Sequence, residues 1–150
     1  MEVNIRRVSN TSAYVFYDQE CQMCRGMIHL IQILFNGLNK LARVKSNIDW
    51  VPFCAPIALG VLSNYDEPTR YSSFVVMSSE GEVTRFGNAV FALLQELPFG
   101  KRFIESASKI TFLSHLVDNS YRFVASHRSQ FGRLIPASLA QAVPSNCDDL

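Results

Sequence analysis

The spacing of the hydrophobic positions changes early in the chain. Residues 13–17 form an unbroken apolar and aromatic run, which is typical of a buried parallel strand. The polar residues 18–20 interrupt it. Apolar residues then recur at helical spacing until Asn36-Gly37, where we expect the helix to end: Cys24, Met27, Ile28, Ile31, Leu34, Phe35 and Leu38. The pattern therefore predicts a strand, a short loop and a long helix.

Further elements follow at short intervals. We predict a strand over residues 48–54, where Pro52 favours an edge or a bulge, and a short helix over 56–62. Two strands joined by a turn follow over 71–77 and 82–86, and a helix over 88–97 ends at Pro98. Beyond residue 100 an apolar stripe predicts more helix: Ile110, Leu113, Val117, Tyr121 and Val124.

The order β-α-β-α-β-β-α with extra C-terminal helices predicts an α/β fold, a thioredoxin-like sandwich. We assign residues 1–12 to an N-terminal lead-in and residues 13–133 to a single domain that includes the helical extension. Residues 134–150 have weak periodicity and are expected to form a flexible tail.

Composition adds that the chain is globular and weakly charged. Its 150 residues suit one domain, and 48% of them are hydrophobic against 18% charged. The net charge of +1 predicts no attraction to nucleic acid, and a basic excess within residues 101–133 is typical of a solvated helical face. No run approaches the roughly 18 apolar residues of a membrane span. Residues 8–12 are polar where a secretory signal needs apolar ones, so we expect a cytoplasmic protein.

The pair Cys21 and Cys24 carries the chemistry that we predict. Positions i and i+3 of a helix lie on the same side with Cα atoms about 5–6 Å apart, which suits a disulfide. Unpaired N–H groups and the positive dipole of a first helical turn stabilise a thiolate and lower its pKa from about 8.5. We expect Cys21 to be the nucleophile and Cys24 to resolve the mixed disulfide. No cofactor is expected, since the cysteines carry the electrons.

Other interpretations of the cysteines remain open. A small zinc or iron–sulfur protein would use Cys21, Cys24 and Cys54, with His29 as a further candidate, although no second Cys-x-x-Cys is present. Cys54 is also typical of a small buried hydrophobe. The pair could be inert, or it could serve a thioredoxin-fold binding or sensing module without turnover.

Two charged residues flank the pair. Asp18 could end the strand or cap the helix, or it could move a proton to or from Cys24 during exchange. Its negative charge opposes thiolate formation at Cys21. Arg25 has the favourable sign, or it points to solvent.

The segment Tyr17-Asp18-x-x-Cys21-x-x-Cys24 resembles the motif of the DCC family of predicted thiol–disulfide oxidoreductases, named for its Asp and two Cys. The similarity covers about residues 13–133 and ends in a block, residues 119–128, that resembles the family's Tyr-x-x-(Val/Ile)-Ala-x-x-Arg signature. The resemblance implies exchange with protein or small-molecule thiols and disulfides, and it implies a place for Tyr17 at the site.

Two positions depart from that pattern. Gln19 replaces the usual Gly, so a turn that needs a positive φ would be strained or rebuilt. Ser72 occupies the position at which thioredoxins carry a cis-proline facing the disulfide, which argues against their mode of substrate docking. In the closing block, Arg128 or Arg122 either approaches the cysteines and favours their thiolate or is solvated, while Tyr121 packs on the domain.

Overall fold

The structure is a computed structural model that describes residues 11, 13–43, 47–98, 100, 102, 104 and 111–143 of the chain. Its sheet has four strands: β1 (Ala13–Tyr17), β2 (Ile48–Pro52), β3 (Val75–Ser78) and β4 (Val83–Arg85). Their order is β2-β1-β3-β4, with β1 parallel to β2 and antiparallel to β3, and with β3 antiparallel to β4. This mixed sheet confirms the thioredoxin-like α/β fold, and β2 is an edge strand, as Pro52 predicts.

Strand β1 lies inside the sheet and is buried on both faces. Alternate residues point into two separate apolar clusters, which explains why the strand reads as one continuous apolar run. One cluster contains Ala13, Val15, Tyr17, Ile28, Phe35 and Val76. The other contains Tyr14, Phe16, Phe53, Ala58, Leu62 and Val75.

Helix α1 (Gln22–Ala42) is longer than predicted. The prediction that Asn36-Gly37 ends it is wrong, because Gly37 lies within the helix, where a glycine costs about 1 kcal/mol but does not break it. The helix instead ends at Arg43, whose φ of 54° turns the chain and lets its N–H reach the carbonyls of Asn39 and Lys40.

The connection between β2 and β3 contains α2 (Pro56–Val61) and α3 (Glu67–Arg70). The predicted strand at 71–77 starts only at Val75. The N–H groups of Tyr71 and Ser72 donate to the carbonyls of Glu67 and Thr69, so they continue the turn of α3 and do not pair with a strand.

Helices with described bounds follow the sheet: α4 (Phe86–Gln95), α5 (Thr111–Ser126), α6 (Arg128–Gly132) and α7 (Ala137–Gln141); residues 100, 102 and 104 are also helical. Helices α4 and α5 approach so closely that a Cβ added at Gly87 would lie 2.8 Å from the Cα of Asp118. Among the described helices, none has both the length and the apolar character to cross a membrane.

Residues 134–143, which we assigned to the expected flexible tail, are packed against the domain in the structure. These residues include α7, which packs along α1, and they bury Ala140 and Val143 to 2% and 3% exposure. Ile135 also contacts Gly26 of α1. A five-residue helix shows too few turns to reveal a period in the sequence. Residues 144–150 lie outside the described part of the chain, as does the predicted lead-in apart from residue 11.

Candidate active site

The cysteine pair lies at the start of α1. Cys21 is the N-cap residue, with extended backbone angles, and its sulfur accepts a hydrogen bond of 3.2 Å from the N–H of Cys24. An N-cap side chain normally accepts through oxygen, so here the sulfur satisfies a donor that the helix itself leaves unpaired. Both thiols are free and partly buried. The pair is therefore a dithiol whose first sulfur is built into the helix terminus.

This position gives the two thiols different pKa values. The pKa of Cys21 is lowered to about 7, chiefly by a hydrogen bond from the Cys24 thiol and then by the Cys24 N–H, against the opposing effect of burial. The pKa of Cys24 is raised, because its proton is engaged by Cys21 and because it is more deeply buried. Cys21 is thus the thiol that ionises first.

Asp18 shapes the loop before α1 and also lies close to both sulfurs. One carboxylate oxygen accepts the N–H groups of Glu20 and Cys21 at 3.0 and 3.3 Å and so shapes the loop before α1. A carboxylate oxygen and the two sulfurs of Cys21 and Cys24 also lie within 4.8 Å of one another. The negative charge of Asp18 raises the pKa of both thiols.

Gln19 does not strain this loop. The non-glycine residues with positive φ among those described are Arg43 and Phe86, so the backbone at Gln19 avoids the left-handed region. The loop is rebuilt around the Asp18 carboxylate, and the Gln19 side chain is buried at 6% exposure.

Arg128 is the arginine that reaches the pair. Its guanidinium donates to the carbonyl of Tyr71 at 2.9 Å and lies 3.6 Å from Asp18 Oδ2, and its charge lowers the pKa of Cys21. Arg122 instead pairs with Asp118 at 2.7 Å. The charge of Arg25 partly offsets the rise that burial causes in the pKa of Tyr17.

Two other predicted binding residues, Tyr17 and Ser72, are engaged within the fold. Tyr17 is 1% exposed at the end of β1, and burial raises its pKa to about 12, so it belongs to the core beneath the loop. The Ser72 hydroxyl donates to the carbonyl of Thr69 and accepts from Arg85, and no peptide bond of the described residues is cis. Ser72 therefore stabilises the β2–β3 connection.

Tyr121, to which the sequence assigned only a packing role, is close to Cys24. Its hydroxyl accepts the N–H of Phe74, just before β3, at 3.0 Å. The Tyr121 pKa is raised to about 12, chiefly by burial and to a lesser extent by the charge of Cys24. The tyrosine of the closing block thus covers a backbone donor beside the buried thiol.

Cys21 opens onto a cavity of about 470 Å³, which we call the Cys21 cavity. Six residues line it: Asp18, Glu20, Cys21, Glu67, Tyr71 and Arg128. Sequence reasoning missed Glu20, Glu67 and Tyr71. Glu67 and Tyr71 reach the cavity through α3 and its following turn, elements that no periodicity in the sequence indicates.

The donor set for a metal ion differs from the predicted one. Cys54 is disulfide-bonded and half-buried, so it offers no thiolate to a set with Cys21 and Cys24 in this structure, and the interpretation of Cys54 as a small buried hydrophobe is wrong. The clustered donors of the described residues are Asp18, Cys21 and Cys24. Two sulfurs and a carboxylate could bind zinc with one position left open.

Comparison with known proteins identifies a family. The family model described as DCC1-like thiol-disulfide oxidoreductase matches residues 15–134, well over half of the chain. The match includes the cysteine pair, Asp18 and the block that holds Tyr121 and Arg128. No curated protein and no solved structure gives a significant match.

Proposed function

Since the chain belongs to the DCC1-like thiol–disulfide oxidoreductase family, we propose that Cys21 and Cys24 catalyse dithiol–disulfide exchange with turnover. The observation that supports this most directly is the Cys21 sulfur at the N-cap of α1, where the pKa is lowered to about 7. The thiolate is the attacking form in disulfide exchange, and at neutral pH an attacking thiol with a pKa near 7 is close to optimal.

The reaction consists of two successive exchanges. The Cys21 thiolate attacks one sulfur of a substrate disulfide, forms a new S–S bond to it, and the other substrate sulfur leaves with the electron pair. Cys24 then loses its proton and attacks Cys21, which releases the second substrate sulfur as a thiolate. Two electrons pass to the substrate and a Cys21–Cys24 disulfide remains. A protein or small-molecule thiol restores the dithiol by the reverse steps.

Asp18 is the proposed proton acceptor for Cys24. While Cys21 is a thiolate, the Cys24 proton is engaged in their hydrogen bond. Once Cys21 is in a mixed disulfide, its charge is gone and the carboxylate, within 4.8 Å of the Cys24 sulfur, is the remaining negative group of the cluster. Asp18 thereby helps the resolving step while its charge disfavours the first thiolate.

The test is a pair of substitutions. Cys24→Ser should accumulate a mixed disulfide between Cys21 and a disulfide substrate such as insulin, because the resolving thiol is gone. Cys21→Ser should give neither the adduct nor reduction. Mass spectrometry under non-reducing conditions identifies the adduct, and turnover is followed with dithiothreitol as reductant. If both variants reduce insulin as the wild type does, the proposal fails.

Two alternative functions predict different experimental results. A metalloprotein would bind zinc at Asp18, Cys21 and Cys24, so anaerobically purified protein would contain stoichiometric metal that Cys21→Ser removes. A sensing module would oxidise once per chain and show no turnover with excess reductant and disulfide.

The cytoplasmic location stays a prediction, to be checked by fractionation.

A further inference from the structure

Negative side chains outnumber positive ones around the Cys21 cavity. Three carboxylates belong to its lining, those of Asp18, Glu20 and Glu67, and Arg128 is the one basic residue among the six. Arg128 is itself engaged, with Asp18 Oδ2 at 3.6 Å and the Tyr71 carbonyl at 2.9 Å. The cavity wall therefore has a net negative charge before the Cys21 thiolate is counted.

Glu20 and Glu67 supply the uncompensated part of this charge. Both are exposed, and within the described part of the chain neither forms an ion pair. Glu20 precedes α1 and Glu67 begins α3, so the two carboxylates come to the cavity from separate segments. A substrate that reaches Cys21 through this cavity comes near both.

We propose that Glu20 and Glu67 select disulfides flanked by positive charge, such as a cystine next to Arg or Lys, over neutral and anionic disulfides. The inference rests on the proposed exchange at Cys21, and it names the substrate class for that reaction. A substrate must bring its disulfide to the Cys21 thiolate and therefore its own charges close to Glu20 and Glu67. Each carboxylate then raises the Coulomb energy of an anionic substrate and lowers that of a cationic one. At about 7 Å in water, one charge pair changes the rate roughly two- to threefold.

Three capped dipeptide disulfides that differ in one side chain provide the probe. In each symmetric disulfide, the residue next to cysteine is Arg, Gln or Glu. The rate of Cys21 mixed-disulfide formation is measured with Cys24→Ser protein and divided by the rate of dithiothreitol with the same peptide, which removes the intrinsic reactivity of each disulfide. The ratio of the Arg to the Glu peptide also cancels the thiolate fraction of each variant.

We expect the order Arg, Gln, Glu for Cys24→Ser protein. Adding Glu20→Gln and Glu67→Gln should reduce the Arg-to-Glu ratio roughly 16- to 80-fold at low ionic strength, because each carboxylate acts on both peptides, and salt near 1 M should reduce the ratio as well. Glu80→Gln, which removes an exposed carboxylate outside the cavity lining, should leave the ratio unchanged.

The outcomes separate the two proposals. An Arg-to-Glu ratio that is the same with and without Glu20 and Glu67 would overturn the charge selection while leaving exchange at Cys21 intact. Failure of all three peptides to form a mixed disulfide would instead count against the exchange reaction. A ratio that Glu80→Gln lowers equally would assign the effect to net charge and reject the role of the cavity.

Discussion

Two hydrogen bonds from Cys24, first from its thiol and then from its N–H, make the two sulfurs of the site unequal. The N–H of Cys24 points at the sulfur of Cys21, while Cys24 lies a turn further along α1 and is more buried. Two charged neighbours adjust this difference in opposite directions, because Arg128 lowers the pKa of Cys21 and Asp18 raises it. Residue-scale substitutions can therefore move the acidity of one sulfur both ways.

We predict that alkylation of Cys21 by iodoacetamide rises with pH around a midpoint near 7, with Cys24 reacting later and more slowly. Asp18→Asn should lower that midpoint, since the amide keeps an oxygen acceptor for the loop but removes the negative charge. Arg128→Gln should raise it. Mass spectrometry of each cysteine against pH provides the measurement.

Arg122→Gln is the matched control, because this arginine pairs with Asp118 and is not among the groups that shift the pKa of Cys21. If Asp18→Asn and Arg128→Gln move the midpoint in the same direction, the electrostatic account of the site is wrong. A shared midpoint for both thiols near the unperturbed value of about 8.5 would refute the role of the N-cap.

At the scale of elements, the contact between α4 and α5 depends on one glycine. The N–H of Gly87 donates to the Asp118 carboxylate at 3.2 Å, and a Cβ at this position would lie 2.8 Å from the backbone of α5. Helix α5 contains Tyr121, which contacts the chain next to Cys24. The fit between these two helices therefore helps to position Tyr121 beside Cys24.

Gly87→Ala should destabilise the protein by about 1–3 kcal/mol, because α5 backbone must move to admit the methyl group. Gly37→Ala is the matched control: no atom lies within 4 Å of its added Cβ, and the change should stabilise α1 by up to about 1 kcal/mol. Urea unfolding followed by circular dichroism measures both. Equal effects of the two substitutions would show that helix propensity, not the close approach, determines the result.

The elements that the sequence predicted correctly have strong local signals. Strand β1 is buried on both faces and α1 repeats its apolar face over five turns, so both produce clear patterns. Helix α3 has only four residues, and none of them is buried. Its contribution to the Cys21 cavity depends on tertiary placement, as do the contacts of Arg128 and Tyr121, which lie more than 90 residues from the cysteines along the chain.

At the scale of the whole molecule, the last described segment of the chain packs against α1, the first helix. Ile135 contacts Gly26, its carbonyl accepts the Gln22 side chain at 3.2 Å, and Ala140 is buried. Gln22 is the first residue of α1, directly after Cys21. Packing of the last segment thus extends to the residue that follows Cys21.

We predict that Ala140→Asp lowers the free energy of unfolding by about 2–4 kcal/mol, because it buries an unpaired charge between α7 and its neighbours. Ala137→Asp, at the exposed first position of the same helix, should change it by less than about 0.5 kcal/mol. Thermal unfolding of both variants tests the packing. If Ala140→Asp is as stable as Ala137→Asp, the segment does not brace the domain.

The sulfur at the N-cap also has an electrochemical consequence. The Cys24 N–H stabilises Cys21 as a thiolate, and that charge disappears when Cys21 joins a disulfide. The helix terminus therefore favours the reduced form, so the reduction potential of the pair is less negative than it would be without this contact. The loss of Arg128 should shift the potential downwards and the loss of the Asp18 charge should shift it upwards. The fold thus biases the direction in which electrons flow between this pair and any partner thiol.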